Sequence, residues 1–163
     1  LALHPNNDNI CVVGFDNGNI SALDLRMKNE SAIENGMLFS FGIKEPIVKV
    51  MSNNNGAEYE YGATISGKIL EWNATASSIQ IIKTNLGAPL FDFDVHKTLP
   101  LWAISSTTDS PAICNPKGQI LYKVKDMPPG SVFAFHPILP IITFGSPDSD
   151  ILSYNILLSA DQK

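Results

Sequence analysis

The sequence predicts an all-β fold made of propeller blades, and three observations lead to this prediction. A motif recurs four times along the 163 residues: an apolar strand, His-Pro or an equivalent, a second apolar strand, a turn, and a third strand ending in Asp or Asn. His96 follows His4 by 92 residues, or two periods of 46, and His136 follows His96 by 40. Repeats of about 40–45 residues with four short strands are typical of blades. Only 17% of the residues are charged, which suits strands buried between stacked sheets.

The first two copies each predict four strands, the first innermost and the fourth outermost. In the first copy we expect strands at Leu1–His4, Ile10–Phe15, Ile20–Asp24 and Met37–Phe41. In the second, more divergent copy we expect strands at Ile47–Met51, Glu60–Ile65, Lys68–Asn73 and Ser78–Lys83. Gly18 and Gly67 mark the turns between the second and third strands. Because Asn17-Gly18 is among the strongest hairpin sequences, we expect positive φ at both residues.

The last two copies differ in strand number. The third copy predicts strands at Phe91–Val95, Leu101–Ser105, Ala112–Asn115 and Gln119–Lys123. The fourth predicts only three, at Val132–Phe135, Ile141–Phe144 and Ile151–Ile156. A blade without its outer strand leaves a sheet edge unpaired, and such edges are usually covered. We therefore expect an N-terminal part of the same propeller, with three or four further blades, to supply the missing strand.

The domain organisation follows from these strands. We assign residues 1–158 to the C-terminal part of a propeller, with a polar tail at 159–163. The blades occupy about 1–41, 47–83, 91–123 and 132–156.

Composition limits the partners. The net charge is −5 and the 11 Lys and Arg residues are scattered, whereas nucleic-acid binding needs clustered basic residues, so no nucleic acid is expected. No apolar run reaches the roughly 18 residues that a spanning helix needs, so no direct membrane insertion is expected. Cys11 and Cys114 lie in apolar strands without metal-binding spacing, and we expect buried free thiols in a reducing compartment.

The sequence predicts no catalytic, cofactor or metal site. The motif histidines occupy equivalent places in different blades, so they do not converge on one ion, and each is expected to hydrogen-bond loop carbonyls. Asp16, Asp109 and Asp148 lie at or near turns, where they either cap turn amides or contact a basic partner. No hydrolase, phosphate-loop or dinucleotide-binding motif is present, and we expect the chain not to be an enzyme.

The residues singled out are therefore structural positions in blades and turns, and the partner-binding residues stay unassigned. Trp72 and Trp102 are expected to pack between blades. The structural positions are His4, Asp16, Gly18, Asp24, Gly67, Trp72, Asn73, His96, Asn115, His136, Asp148 and Asn155.

The ends of the third strands resemble the Trp-Asp dipeptide of the WD-repeat family. These ends are Leu23-Asp24, Trp72-Asn73, Cys114-Asn115 and Tyr154-Asn155. The first blade, from Val12 to Met27, is close to the consensus of that family. The resemblance implies a WD-repeat propeller.

The second half of the chain resembles the raptor family more closely. Phe91–His96, Leu99–Ala103 and Asn115–Gln119 resemble one raptor blade, and Phe133–Pro140 with the residues to Tyr154 resembles the next. Raptor is the regulatory scaffold of target-of-rapamycin complex 1. The resemblance implies a non-catalytic scaffold in nutrient-responsive growth signalling, with the target-of-rapamycin kinase and its associated subunits as partners. It also implies a cytoplasmic location, with access to the vacuolar or lysosomal surface through partners. The use of Asn and Ile suggests a fungal or otherwise divergent member.

Two other functions stay open at this point. A generic WD-repeat adaptor of a ubiquitin-ligase or trafficking-coat complex would have the same blades. A phosphoinositide-binding propeller would need paired arginines, and Arg26 is the only arginine in the chain.

Overall fold

The computed structural model describes residues 1–4, 7–27, 37–52, 59–73, 79–83 and 88–156. They form fifteen β-strands in four antiparallel sheets. This described part of the chain contains no helix, and so none that is long and apolar enough to cross a bilayer. The all-β, propeller-like class with four blades that the sequence predicts is confirmed. The predicted tail at 159–163 lies outside the described residues, and the assignment of 1–158 to the end of a longer propeller stays a prediction.

The chain divides into two compact units, Leu1–Leu90 and Phe91–Lys163. The first unit holds two four-stranded sheets. Sheet 1 consists of β1 (Ala2–His4), β2 (Asn7–Gly14), β3 (Asn19–Asp24) and β4 (Met37–Gly42). Sheet 2 consists of β5 (Ile47–Ser52), β6 (Tyr59–Thr64), β7 (Lys68–Asn73) and β8 (Ile79–Lys83). Strand order follows chain order in both sheets, so each strand pairs with its neighbours in sequence.

The second unit holds one sheet of four strands and one of three. Sheet 3 consists of β9 (Leu90–Val95), β10 (Trp102–Ser106), β11 (Ala112–Cys114) and β12 (Ile120–Lys123). Sheet 4 consists of β13 (Val132–Phe135), β14 (Ile141–Gly145) and β15 (Ile151–Asn155). Within the described residues, the fourth sheet therefore lacks an outer strand, as the sequence predicts.

Sheets 1 and 2 pack through one apolar cluster. Every second residue of a strand points to the same face, so alternating apolar residues gather on one side of each sheet. None of the cluster residues is more than 4% exposed. The cluster contains Val12, Ile20 and Ala22 from sheet 1 with Val50, Leu70 and Trp72 from sheet 2. This contact removes the apolar faces of both sheets from water and stabilises the first unit.

Sheets 3 and 4 pack through a second cluster, which includes two buried aromatic rings. Phe133 and Phe144 meet edge to face, with ring centroids 5.7 Å apart. The buried members are Leu101, Ala103 and Ile113 from sheet 3, Val124 and Met127 from the connection to sheet 4, and Phe133, Ile142 and Phe144 from sheet 4. The apolar runs of the third and fourth motif copies thus become one core.

Some strand limits differ from those predicted, for reasons that lie in the backbone. β2 begins at Asn7 and not at Ile10, because Asn7 pairs with His4 and the carbonyl of Asn9 accepts a 2.6 Å bond from the amide of Leu25. Backbone pairing does not need apolar side chains, so the polar residues extend the strand. Leu101, in contrast, precedes β10, because it closes the preceding turn by accepting the amide of His96.

Four tight turns place their fourth residue in the left-handed region. The φ angles are 85° at Gly18, 83° at Gly67, 76° at Gly118 and 73° at Ser149. The prediction of positive φ at Asn17 is wrong, because only Gly18 is left-handed in that turn. The amide of Gly18 bonds the carbonyl of Phe15 at 3.1 Å, and the amide of Phe15 bonds the carbonyl of Asn19 at 2.9 Å. This pattern fits a type I turn followed by one left-handed residue, which needs positive φ only once.

We expect Gly18→Ala to destabilise the first unit more than Gly130→Ala destabilises the second. Both glycines have positive φ, but a Cβ at Gly18 would lie 2.6 Å from the Glu45 amide nitrogen, whereas the nearest atom at Gly130 is Pro147 Cγ at 3.8 Å. Backbone strain should cost each variant about 1 kcal/mol, and the backbone clash at Gly18 should add about 1–2 kcal/mol. Equilibrium denaturation of both variants measures this difference, and equal losses would contradict it.

Candidate functional site

His96 connects sheets 3 and 4. Its side chain is fully buried, and its Nε2 lies 2.9 Å from the carbonyl oxygen of Leu139. Its Nδ1 accepts the amides of Thr98 and Leu99, each at 3.1 Å. Two amide donors on Nδ1 require a lone pair there, so Nε2 carries the proton and donates to Leu139. The neutral ring thus closes its own turn and bonds the next sheet.

His136 forms the same turn without the connection. Its Nδ1 accepts the amides of Ile138 and Leu139 at 3.2 and 2.9 Å, but its ring is exposed. The two turns share the sequence His-x-x-Leu-Pro. The structure therefore places His96 against a loop carbonyl, as expected, while His136 accepts turn amides instead. His4 ends β1 in the first unit, and the described residues contain no group of His, Cys, Asp or Glu that could hold a metal ion.

Two aspartates of β9 form further bonds between the sheets of the second unit, and sequence reasoning missed both. Asp94 Oδ2 accepts the amide of Phe135 at 2.8 Å, and Asp92 Oδ2 accepts the amide of Phe133 at 3.4 Å. β13 is an edge strand of sheet 4, so these amides point away from β14 and need another acceptor. The aspartates supply it. The sequence pattern that could have predicted these bonds is Asp-x-Asp-x-His in an apolar strand. Its period of two places all three side chains on one face.

Trp72 and Glu60 form the polar part of the contact between sheets 1 and 2. The indole Nε1 of Trp72 donates to Glu60 Oε2 at 2.5 Å, and the indole ring meets Phe41 edge to face at 5.3 Å. Trp72 therefore packs between two sheets, as expected. Burial raises the pKa of Glu60, and this effect exceeds the lowering by the Trp72 bond and by His4. Asn73 pairs with Tyr59 through the backbone, and its side chain lies outside the described residues.

The turns that begin at Asn115 and Ser146 are capped by their first residue. Ser146 Oγ accepts the amides of Asp148 and Asp150 at 3.1 and 3.2 Å, so Asp148 is not the cap. Asn115 Oδ1 accepts the amides of Lys117 and Gln119, both at 3.0 Å. A short polar side chain at the first position reaches the amides two and four residues later.

The remaining aspartates have separate environments. Asp16 is exposed at the tip of its turn. Asp109 accepts a hydrogen bond from the amide of Ser110 at 3.0 Å and forms an ion pair with Lys123 at 2.6 Å. The hydrogen bond from Lys123 lowers the pKa of Asp109. Asp24 Oδ1 accepts hydrogen bonds from the side-chain Nε and from the backbone amide of Arg26. These bonds lower the pKa of Asp24 to about 2. These carboxylates do not meet at one place.

Asn155 at the end of β15 and the two thiols do not form a reactive site with the aspartates described above. Asn155 pairs with Ile141 at the edge of the sheet and is exposed. Cys11 and Cys114 are both buried and free, and burial raises the pKa of Cys114 to about 12. A thiol with so high a pKa is protonated at neutral pH and is a poor nucleophile.

Sheet 4 presents an open face in the second unit. Val132 and Ile151 flank the central Gly145 in register, with exposed fractions of 51% and 76% for the two apolar side chains. Next to them, Thr143 Oγ1 and Ser153 Oγ lie 2.9 Å apart and hydrogen-bond across the strands. This face is a mixture of apolar and hydroxyl groups.

Raptor of Chaetomium thermophilum and a designed protein are among the solved structures that share the fold of this chain. Raptor of Chaetomium thermophilum has a TM-score of 0.77 and 21% identity over 93% of this chain, which spans 14% of that Raptor chain. The computationally designed Ika4 protein has a TM-score of 0.71 and 14% identity over 96% of this chain and 89% of that chain. No protein-family model and no curated protein matches the sequence. At these identities the likeness shows a common fold, and a common fold does not determine function.

We expect His96→Ala to cost about 3 kcal/mol of unfolding free energy and His136→Ala only about 1 kcal/mol. Both variants remove a turn cap, but only His96→Ala removes a buried ring and leaves the Leu139 carbonyl without its donor. Chemical denaturation of the two variants provides the comparison. A loss at His136 as large as that at His96 would show that the turn, and not the bond between sheets, carries the energy.

We expect Asp94→Ala to speed hydrogen exchange at the amide of Phe135, because that amide loses its acceptor. Unfolding free energy should fall by about 2 kcal/mol, since the amide of Val95 loses its 2.9 Å bond as well. The exposed Asp148 provides the control, and Asp148→Ala should change neither quantity. Unchanged exchange at Phe135 in Asp94→Ala would contradict the assigned bond.

Proposed function

We propose that this chain is a WD-repeat-type propeller segment of a raptor-like scaffold subunit of target-of-rapamycin complex 1, from a fungal or similarly divergent member. In this proposal the chain binds proteins and catalyses no reaction. The observation that supports it most is the likeness in fold to Raptor of Chaetomium thermophilum over 93% of the chain. The sequence resemblance of Phe91–His96, Leu99–Ala103 and Phe133–Pro140 to raptor blades agrees with this proposal.

The geometry suits a scaffold. Hydrogen bonds that Asp92 and Asp94 accept and that His96 donates fix sheet 4 against sheet 3, so the second unit has a defined arrangement of strands. The turns at the strand ends carry exposed side chains, among them Asp16, Lys117 and Asp148. Binding residues are commonly carried on loops that a rigid framework positions. The proposed partners are the target-of-rapamycin kinase and its associated subunits, in the cytoplasm and, through partners, at the vacuolar or lysosomal surface.

A second candidate is an adaptor of a ubiquitin-ligase or trafficking-coat complex. This candidate is kept because many proteins share the fold. In all, 802 solved chains match this chain, and the match to Ika4 covers as much of it as the match to Raptor does. The sequence that precedes the propeller in the parent protein separates the two candidates. Helical solenoid repeats there would favour the raptor-like function.

The test is affinity purification of the parent protein, tagged at its own locus, followed by identification of the proteins that co-purify. Recovery of the target-of-rapamycin kinase is the expected result. Repeated recovery of a coat or ligase complex without the kinase would overturn the proposal.

Structural variants of the same tagged protein test whether this segment supports assembly. Deletion of Asp150–Ile156 removes β15, and His96→Ala breaks the contact between sheets 3 and 4. Both should lower the abundance or the kinase recovery of the parent, whereas His136→Ala, matched in residue type but less destabilising, should lower them less. Phosphotransfer per recovered kinase should stay unchanged in every variant. A lower specific activity of the assembled kinase would contradict a purely non-catalytic scaffold.

A further inference from the structure

The contact between sheets 1 and 2 contains a buried carboxyl group that is only half satisfied. The side chain of Glu60 is 1% exposed and lies on the face of sheet 2 that packs against sheet 1. One oxygen, Oε2, accepts the indole N–H of Trp72, but the other, Oε1, has no hydrogen-bond partner. A buried polar atom without a partner is costly, and most buried polar groups are satisfied.

A second unpartnered atom lies on the neighbouring strand. Ser52 on β5 pairs with Glu60 on β6, and the buried hydroxyl of Ser52 also lacks a partner. An ionised carboxylate can only accept hydrogen bonds, whereas a protonated carboxyl carries a donor. Since Oε1 accepts no hydrogen bond, an ionised Glu60 would bury an unsatisfied negative oxygen, which is more costly than burying the neutral carboxyl group.

The charged residues near Glu60 compensate its ionised form only in part. From sheet 1, a protonated His4 on β1 favours the ionised form, Asp8 on β2 is exposed, and Asp24 on β3 is neutralised by Arg26. Within sheet 2, the alternation of the strands puts two further charged residues on the opposite face. These are Lys49 on β5 and Glu71 on β7, which is paired with Tyr61.

We propose that the contact between sheets 1 and 2 is sensitive to protons, tight while Glu60 is neutral and weaker once Glu60 is ionised. The second unit shows the contrast. There the sheets are bonded by a neutral histidine on a backbone carbonyl and by aspartates that each accept two backbone amides.

The direction of the effect follows from linkage. Burial raises the pKa of Glu60 above its ordinary value of 4.5, so the folded chain holds this proton to higher pH than the unfolded chain does. The stability that this group contributes is present below pH 4.5 and is lost as pH rises through the folded pKa.

The test compares the full chain with its Glu60→Gln variant by thermal unfolding between pH 4.5 and pH 8. Glutamine keeps the size and the acceptor for Trp72 but does not ionise. The melting temperature of Glu60→Gln relative to wild type should rise with pH, by about 3 °C for each unit by which burial displaces the pKa. A difference that stays constant across this range would overturn the proposal and leave Glu60 as a structural anchor only.

Glu45→Gln is the matched control. Glu45 is bonded to Lys68 and Ser66, which lower its pKa, so its contribution is present at neutral pH and lost in acid. The melting temperature of Glu45→Gln relative to wild type should therefore fall or stay level as pH rises. A rise like that of Glu60→Gln would show that any lost carboxylate gives the effect, which would overturn the assignment to Glu60.

A second variant keeps the proposal testable if Glu60→Gln fails to fold. Trp72→Phe removes the N–H donor that favours the ionised carboxylate of Glu60. The pH range over which the contact between sheets 1 and 2 weakens should therefore move upward. The measurement is hydrogen exchange of β1 and β6, corrected for the intrinsic pH dependence of exchange. In the wild type, opening should be more frequent at pH 8 than at pH 5. Equal opening at both values, or an unmoved range in Trp72→Phe, would overturn the proposal.

Discussion

The innermost strand of each sheet has one free edge, and its backbone groups must find partners beyond their own sheet. In the second unit this requirement is met by side chains, since Asp92 and Asp94 accept amides of β13 and His96 donates to the next turn. Each of these bonds fixes the register of two sheets as well as satisfying a backbone group. The apolar cluster between sheets 3 and 4 supplies most of the buried area, but it is the polar face of β9 that determines which residues meet.

The first unit solves the same packing problem with different chemistry. Among its described residues, the sheets meet through aliphatic side chains, the rings of Phe41 and Trp72 and a backbone bond from Ile47 to Phe15, and the buried Glu60 is incompletely paired. Apolar contact is not directional, so it holds two sheets together without selecting one register as strongly as hydrogen bonds do. Two pairs of blades from one repeated motif therefore differ in how they are joined.

Most of the fold could be predicted from the sequence, because strands and turns are encoded over short distances. The alternation in Ile20–Asp24 and Lys68–Asn73 predicted β3 and β7 to within one residue. The alternating Asp92 and Asp94 indicate a polar strand face, but their partners could not be predicted, since Asp94 and Phe135 are separated by 41 positions and no local pattern links them. The cap at Ser146 was missed for another reason. A serine and an aspartate can both cap a turn, and only the backbone path decides which oxygen the amides face. Asn17 has negative φ because a four-residue turn needs one left-handed position and Gly18 takes it.

The capped turns bear on the order in which this chain folds. Ser146 and Asn115 satisfy amides no more than four residues away, so each hairpin closes through contacts that an isolated segment can already make. Hairpins form within about 1–10 μs, whereas joining two sheets closes a loop of some forty residues and carries a larger entropy cost. The hairpins should therefore exist before the sheets associate, and docking becomes a search among preformed parts. Errors in such a search would be wrong pairings of intact blades. The charged and polar side chains of β9 disfavour such pairings, because they would be left without their hydrogen-bond partners.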